Sequence, residues 1–116
     1  MEPIPVYYQN VKRSALVVKP KLPFHNWLLS IDPNDKPEEI LGEGDVYLLP
    51  VYETTKQLES WLKKNFHEIF EDQLNNWYID EDLWPKNRTF KMFNEWFGYS
   101  LHTMVWDTQE KFIEKV

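Results

Sequence analysis

The chain contains no cysteine, which excludes disulfide bonds, thiol nucleophiles and cysteine-based zinc or iron–sulfur centres. Only three glycines occur among 116 residues, so the glycine-rich loops that cradle nucleotide phosphates cannot be drawn. No stretch approaches the roughly 20 apolar residues that cross a bilayer, and the first residues lack the features of a signal peptide. These absences predict a cytoplasmic protein without a membrane partner.

Basic residues are also scarce relative to acids. Thirteen Lys and Arg stand against 19 Asp and Glu, which gives a net charge of −6. Nucleic-acid binding needs a basic face that displaces counterions, so this balance disfavours DNA and RNA as ligands. An acidic surface attracts basic partners over long range, or it serves only to keep a protein soluble. The charge therefore predicts no nucleic-acid partner and leaves a basic protein partner open.

The remaining composition is that of a folded domain, with 42% hydrophobic and 28% charged residues. The aromatic content is high at 16%, and aromatic side chains both fill cores and anchor interfaces. A chain of this length can bury one core, so we expect a single domain over residues 1–116. Residues 1–12 carry two prolines and are expected to form an extended arm, and residues 108–116 a frayed or weakly helical tail.

Three segments have the pattern of β-strands. Residues 14–19 are a continuous apolar run, which is typical of a strand buried on both faces. Residues 46–52 form a second run, and residues 99–107 alternate between apolar and polar side chains. Because proline cannot donate to a ladder, Pro50 predicts an edge strand, a bulge or the end of pairing.

Two segments in the first two-thirds of the chain have helical periodicity. Residues 24–31 carry a short apolar stripe, and residues 54–78 carry a much longer one opposite a charged face. Thr54 and Gln57 have the spacing of a capping box at the start of the longer stripe. The pattern allows one long helix or two helices bent near residues 65–67.

A third helix is predicted over residues 90–97 from its aromatic stripe. Asn87 or Thr89 can cap its beginning, and Gly98 suits the left-handed position at its end. The resulting order β-α-β-α-α-β predicts an α+β fold, with a small, mainly antiparallel sheet of about three strands and helices packed on one face.

The most unusual composition lies in residues 77–89, between the second and third predicted helices. This segment places two Trp and one Tyr beside three consecutive acids, and a Pro-Lys-Asn-Arg sequence follows. Aromatics beside charges are typical of a tightly packed connection or of a recognition surface. Its candidate binding residues are the acids and the larger side chains after them: Asp80, Glu81, Asp82, Trp84, Lys86 and Arg88.

Two interpretations of these charges remain open. In the structural one, the acids of residues 80–82 cap backbone N–H groups and pair with Lys86 and Arg88, while Arg88 also stacks on Trp84. In the functional one, Arg88 joins the start of the third helix in binding an anion. The structural interpretation is favoured by the sequence.

Metal and catalytic chemistry have little support. The three histidines, His25, His67 and His102, share no metal-ligand spacing, and no serine stands in a glycine-rich elbow. We therefore predict no metal site, no cofactor and no catalytic residue. A hydrolase that combines His102 with the acids of residues 80–82 is an alternative, and it requires the third strand to aim His102 at that segment.

The string Trp-Tyr-Ile-Asp-Glu-Asp-Leu-Trp-Pro-Lys-Asn-Arg-Thr-Phe at residues 77–90 is long and specific, and further motifs lie at residues 18–21, 46–50, 96–97 and 101–105. Together they resemble the signature of a family of small bacterial proteins to which no activity is assigned. The resemblance implies a bacterial, cytoplasmic, single-domain protein. It brings no cofactor and no catalytic residues.

The leading functional hypothesis is a non-enzymatic protein-interaction domain. Its contact surface would be residues 77–89 with the charged face of the long helix, and its partner a basic protein, as for a small inhibitor or immunity protein. Besides the hydrolase, a homodimer that pairs through a strand edge or an aromatic patch is the other alternative.

Overall fold

The computed structural model describes residues 8–34 and 43–116 of the chain. Five strands lie in these ranges: β1 (Gln9–Asn10), β2 (Ser14–Pro20), β3 (Asp45–Leu49), β4 (Phe97–His102) and β5 (Trp106–Asp107). The helices described there are α1 (Leu22–Ile31), α2 (Thr55–Asn75) and α3 (Phe90–Trp96). None of these helices is long and apolar enough to cross a lipid bilayer.

The main sheet is antiparallel with strand order β3-β2-β4, and a second sheet pairs β1 with β5. Along β2, Ser14, Leu16 and Val18 are buried in the core that the helices share, which confirms the α+β fold. On the opposite face Ala15 is buried, Val17 is half-buried and Lys19 is exposed. The expectation that this strand is covered on both faces therefore holds at Ala15 and fails at Lys19.

The edge strand β3 is shorter than its apolar run. Its pairing with β2 ends at Leu49, and Pro50 follows immediately, so the predicted continuation to Tyr52 does not pair. Proline lacks the N–H that the ladder needs, and this explains both the stop and the position of β3 at the edge of the sheet.

The long apolar stripe forms a single continuous helix, α2, and not two helices bent near residues 65–67. The Thr54 hydroxyl accepts the Gln57 N–H at 3.2 Å, and the Gln57 side-chain carbonyl accepts the Thr54 N–H at 3.1 Å, so the predicted capping box is present. Such a cap is worth about 1 kcal/mol of helix stability. The apolar stripe packs into the core through Leu58, Leu62, Phe66, Ile69, Phe70 and Leu74.

The third helix begins as predicted but ends differently. The Thr89 hydroxyl caps α3 by accepting the Met92 N–H at 3.1 Å, whereas Asn87 takes a left-handed conformation with φ of 55° in the loop before it. Phe97 is already extended, with φ of −134°, and starts β4. The left-handed position predicted for Gly98 is therefore wrong: pairing with β2 draws the chain from helix directly into strand.

The predicted third strand, residues 99–107, is divided into β4 and β5. Ala15 pairs with His102, and Asn10 pairs with Trp106. From Ala15 back to Asn10 the chain moves five residues, whereas from His102 to Trp106 it moves only four. The two sides therefore differ by one residue, and the strand pairing is interrupted between the two sheets. The alternating pattern of the sequence cannot reveal this interruption, because the additional residue lies in the opposite strand.

Between the two sheets the chain makes a local turn, in which the Arg13 N–H donates to the Val11 carbonyl at 2.8 Å. β1 shows that part of the expected N-terminal arm pairs with another strand, while residues 1–7 of that arm lie outside the described residues. Residues 108–116 are exposed and contain neither helix nor strand, so the tail is not helical.

The core is aromatic, as the composition indicates. Phe97 lies at its centre, with its ring centroid 5.3 Å from Phe24, 5.2 Å from Phe70 and 5.1 Å from Phe93. Each of these rings is fully buried. Such pairs add about 0.5–1.5 kcal/mol each beyond the burial of their area. One residue from the start of β4 thereby joins all three helices to the sheet.

Candidate functional site

The connection between α2 and α3 is short and folded. The helix ends as the Trp77 and Tyr78 N–H groups donate to the Leu74 carbonyl. A single 3-10 turn, Glu81–Leu83, follows, and the Asp80 carboxylate caps it by accepting the Asp82 N–H at 3.0 Å. The tight turn expected near this point is present, and one of the three acids has a defined capping role.

Two indole N–H groups hold this connection in place. Trp84 donates to the Tyr78 carbonyl at 2.7 Å, and Trp27 of α1 donates to the Leu83 carbonyl at 2.9 Å. Both Trp side chains are 8% exposed. Trp84 therefore belongs to the core, and its burial removes it from the surface that a partner can contact.

Arg88 ties the connection to α2. Its guanidinium contacts the Glu71 carboxylate at 2.7 Å, donates to the Pro85 carbonyl at 2.8 Å, and lies 5.8 Å from the Trp84 ring and 5.9 Å from the Phe70 ring. The stacking predicted on Trp84 is confirmed. The pairing expected with the acids of residues 80–82 is wrong, because Arg88 packs along α2, where Glu71 is the nearest carboxylate.

The acids after α2 lie beside exposed apolar side chains. Ile79 is 82% exposed and Trp77 is 44% exposed, although the helical stripe placed Trp77 in the core. We call this surface the acidic-apolar ridge, and it consists of Trp77, Ile79, Asp80, Glu81, Asp82 and Leu83, all of which are exposed.

The negative charge of the ridge is not compensated locally. Across the part of the chain that the structure describes, Arg88–Glu71 is the single ion pair. Lys86 approaches the ridge but donates to the backbone carbonyl of Glu81, at 3.4 Å, and not to a carboxylate. The ridge thus combines exposed apolar surface with three carboxylates that form no ion pair among the described residues. This is the composition of an interface anchor and its polar rim.

Part of the charged face of α2 is already committed to the fold. The Tyr47 hydroxyl donates to the Asp72 carboxylate at 2.6 Å, and the Gln73 amide donates to Tyr47 at 2.8 Å and to Asp45 at 2.7 Å. Burial, followed by the hydrogen bond to Asp72, raises the pKa of Tyr47 well above its usual range, and the bond from Gln73 partly offsets this. These bonds join β3 to α2, so the surface available to a partner is narrower than the full helical face.

His102 lies on the other side of the sheet from the ridge. It occupies the exposed face of β4 opposite Ala15, while the ridge follows the helices on the covered side. Its Nε2 atom is 2.9 Å from the Ser100 hydroxyl. Among the described residues no carboxylate bonds to this ring, so the geometry does not assemble His102 with the acids of residues 80–82.

Two further observations concern titratable groups. No cluster of three His, Asp or Glu with the geometry of a metal site occurs in residues 8–34 or 43–116.

His25 of α1 is 1% exposed, and neither of its ring nitrogens has a hydrogen-bond partner. The sequence gives no signal for this burial, because His25 stands beside the apolar stripe of α1 and not within it.

Sequence reasoning missed the apolar half of the ridge. Ile79 and Leu83 fall outside any helical stripe and flank the three acids on either side, which is the signal that could have marked them as exposed. Comparison with the models of known protein families, with curated proteins and with solved structures finds no match. The family resemblance carried by residues 77–90 therefore stays a prediction.

Proposed function

We propose that this chain is a protein-interaction domain that binds a basic protein through the acidic-apolar ridge. The observation that carries the proposal is the exposure of Ile79 directly beside the carboxylates of Asp80, Glu81 and Asp82, which have no ion-pair partner among the described residues. An apolar side chain in this position anchors an interface, and the surrounding carboxylates select a partner with Lys or Arg at the matching rim.

The rigidity of the ridge supports the same function. Indole bonds from Trp84 and Trp27 fix the backbone on both sides of the acids, and the Asp80 cap fixes the turn between them. A surface held in one conformation before binding loses little entropy when a partner docks. Buried Trp84 and half-buried Arg88, both candidate binding residues from the sequence, thus support the contact surface from beneath.

The partner class follows from charge. With a net charge of −6, the chain attracts basic proteins over distances of about the Debye length, roughly 8–10 Å at physiological salt. A small acidic inhibitor or immunity protein of a basic enzyme fits this chemistry and needs no catalytic residue of its own. We place this interaction in the cytoplasm, which is consistent with a chain that has no cysteine.

Affinity capture from the native cells tests the proposal with two matched charge variants. Glu81→Lys/Asp82→Lys reverses two ridge charges, and Glu110→Lys/Glu114→Lys makes the same change of net charge in the exposed tail. The expected result is a basic protein that wild type and the tail variant retain and the ridge variant loses.

A purified partner then allows the contact itself to be measured. Its affinity should weaken at least tenfold with Ile79→Ser, and it should weaken with rising salt, because both the apolar anchor and the charges contribute. Equal capture of the same proteins by all variants would show that the ridge is not a binding surface.

A further inference from the structure

Among the described residues, the helices pack on one face of the main sheet, and exposed apolar side chains lie on the other. Val46 and Leu48 of β3 are 64% and 50% exposed, and in the strand register they lie beside half-buried Val17 and buried Ala15 of β2. Ser100 on β4 continues this surface beside Val17. We call this surface the open sheet face. Its exposed apolar side chains lie on the edge strand, on a face that antiparallel sheets more often cover with polar side chains.

The charge of the open sheet face is opposite to that of the whole chain. Lys19 points outward from it, and the exposed residues Lys12 and Arg13 precede its central strand. No Asp or Glu occupies an outward position of β2, β3 or β4, which are all among the described residues. Asp45 is the first residue of β3, and its carboxylate accepts from Gln73 on the covered side.

The chain therefore carries two exposed surfaces of complementary composition. The acidic-apolar ridge combines Ile79 and Trp77 with three carboxylates, whereas the open sheet face combines Val46 and Leu48 with basic groups. The two surfaces lie on opposite sides of the sheet, so one copy cannot bring them together. Contact between them requires two copies.

We propose that the open sheet face binds the acidic-apolar ridge of a second copy of this chain. Symmetric contacts are disfavoured by charge, since paired ridges bring carboxylates together and paired sheet faces bring the basic side chains of both copies together. The contact is therefore heterologous, with the ridge of each copy on the sheet face of the next. This inference rests on the proposed function in using the same ridge, and it identifies one partner as a second copy of the chain, which is acidic overall but presents basic side chains at the open sheet face.

Sedimentation velocity over a range of concentration tests the inference. Wild type is expected to show a mass that rises above one chain with concentration and falls again at high salt, because the contact is partly electrostatic. The ridge variant Glu81→Lys/Asp82→Lys and the face variant Val46→Ser/Leu48→Ser should both remain monomeric. Phe112→Ser/Ile113→Ser, which removes two exposed apolar side chains from the tail, is the matched control and should associate like wild type.

Mixing the two monomeric variants separates this geometry from a symmetric dimer. Each variant retains one intact surface, so an equimolar mixture should form a complex of two chains and nothing larger. Circular dichroism of each variant confirms that the fold is kept, and the substituted side chains are all exposed.

Three results would overturn the inference: a wild type that stays monomeric at every concentration, face variants that associate like wild type, or a mixture that remains monomeric while wild type associates. The proposed function is tested separately. If wild type is monomeric but a foreign basic protein is captured by wild type and lost by the ridge variant, the ridge binds a partner and the partner is not this chain.

Discussion

Trp84 donates its indole N–H to the backbone carbonyl of Tyr78 at 2.7 Å and closes a loop of the chain between them. The acids of residues 80–82 lie inside this loop. Because the Trp84 ring fills the core beneath it, the loop can only present the acids and Ile79 outward. One buried side chain thus determines the shape of the exposed surface that we propose as the contact site.

Replacing Trp84 tests this relationship. Trp84→Phe keeps most of the buried area and removes the donor, so we expect a loss of about 1 kcal/mol in the free energy of unfolding. Trp84→Ala also creates a cavity and should lose about 3–5 kcal/mol. Urea unfolding measures both, and Trp77→Phe at an exposed position is the control. Equal effects at the two Trp positions would contradict the assignment of Trp84 to the core.

Arg88 should matter more for stability than its one ion pair suggests. Arg88→Ala removes the contact with Glu71, the bond to Pro85 and the contact with the Trp84 ring, and we expect a loss of about 2–3 kcal/mol. Glu71→Gln should lose less than about 1 kcal/mol, because this carboxylate is half-exposed.

Lys86→Ala is the matched control for Arg88, since it removes a nearby cation that makes one long hydrogen bond. We expect this substitution to change the free energy of unfolding by less than about 0.5 kcal/mol. If chemical denaturation gives Arg88→Ala and Lys86→Ala the same stability, the role of Arg88 as the tie between the connection and α2 is excluded.

Alkaline pH should weaken the contact between β3 and α2. The folded state raises the pKa of Tyr47 through burial and the bond to Asp72, and it raises the pKa of Tyr99 through burial and the charge of Glu59. The stability from these phenols is fully present below the unfolded-state pKa of about 10, and it is lost as the pH rises towards the folded-state pKa.

The free energy of unfolding should therefore fall above about pH 10, and the fall should be smaller in Tyr47→Phe. Denaturant melts across this range measure it, with Tyr8→Phe, which removes an exposed phenol, as the control. A pH dependence that is the same in wild type and Tyr47→Phe would exclude the contribution assigned to this residue.

Replacing His25 with leucine is expected to stabilise the folded protein. Its imidazole is buried with both nitrogens unpartnered, and a buried polar group without a hydrogen bond costs about 1–3 kcal/mol. His25→Leu replaces it with an apolar side chain of similar volume, so the thermal midpoint and the free energy of unfolding should both rise. His25→Gln, which keeps polar atoms at the site, should not stabilise. A clear destabilisation by leucine would mean that the imidazole has a bonding role.

Local patterns were sufficient for most of the fold. The capping box of Thr54 and Gln57, the cap at Thr89 and the stop at Pro50 are each encoded within a few residues, and each was predictable. The division of the third strand was not, because it arises from an additional residue in the opposite strand. The prediction of a left-handed Gly98 was wrong for a related reason, because long-range pairing with β2 overrides the helix-ending tendency of glycine.

The site was predictable in position and less so in composition. The sequence selected residues 77–89 as the candidate site, but among their large side chains the fold buries Trp84 and half-buries Arg88. Exposure of Ile79 depends on the direction in which the loop leaves α2, and that direction is determined by contacts with Trp27, far away in the chain. Periodicity carries no information about such contacts.

The central claim is that the acidic-apolar ridge contacts a protein, and site-specific photo-crosslinking tests it most directly. Benzoylphenylalanine is placed at Ile79 and, as the control, at Phe112, which is even more exposed. In the native cells, position 79 should give a discrete crosslinked product that contains a basic protein or a second copy of this chain. Position 112 should not give it, and Glu81→Lys/Asp82→Lys should abolish it. No product at position 79, or the same products at both positions, would contradict the account.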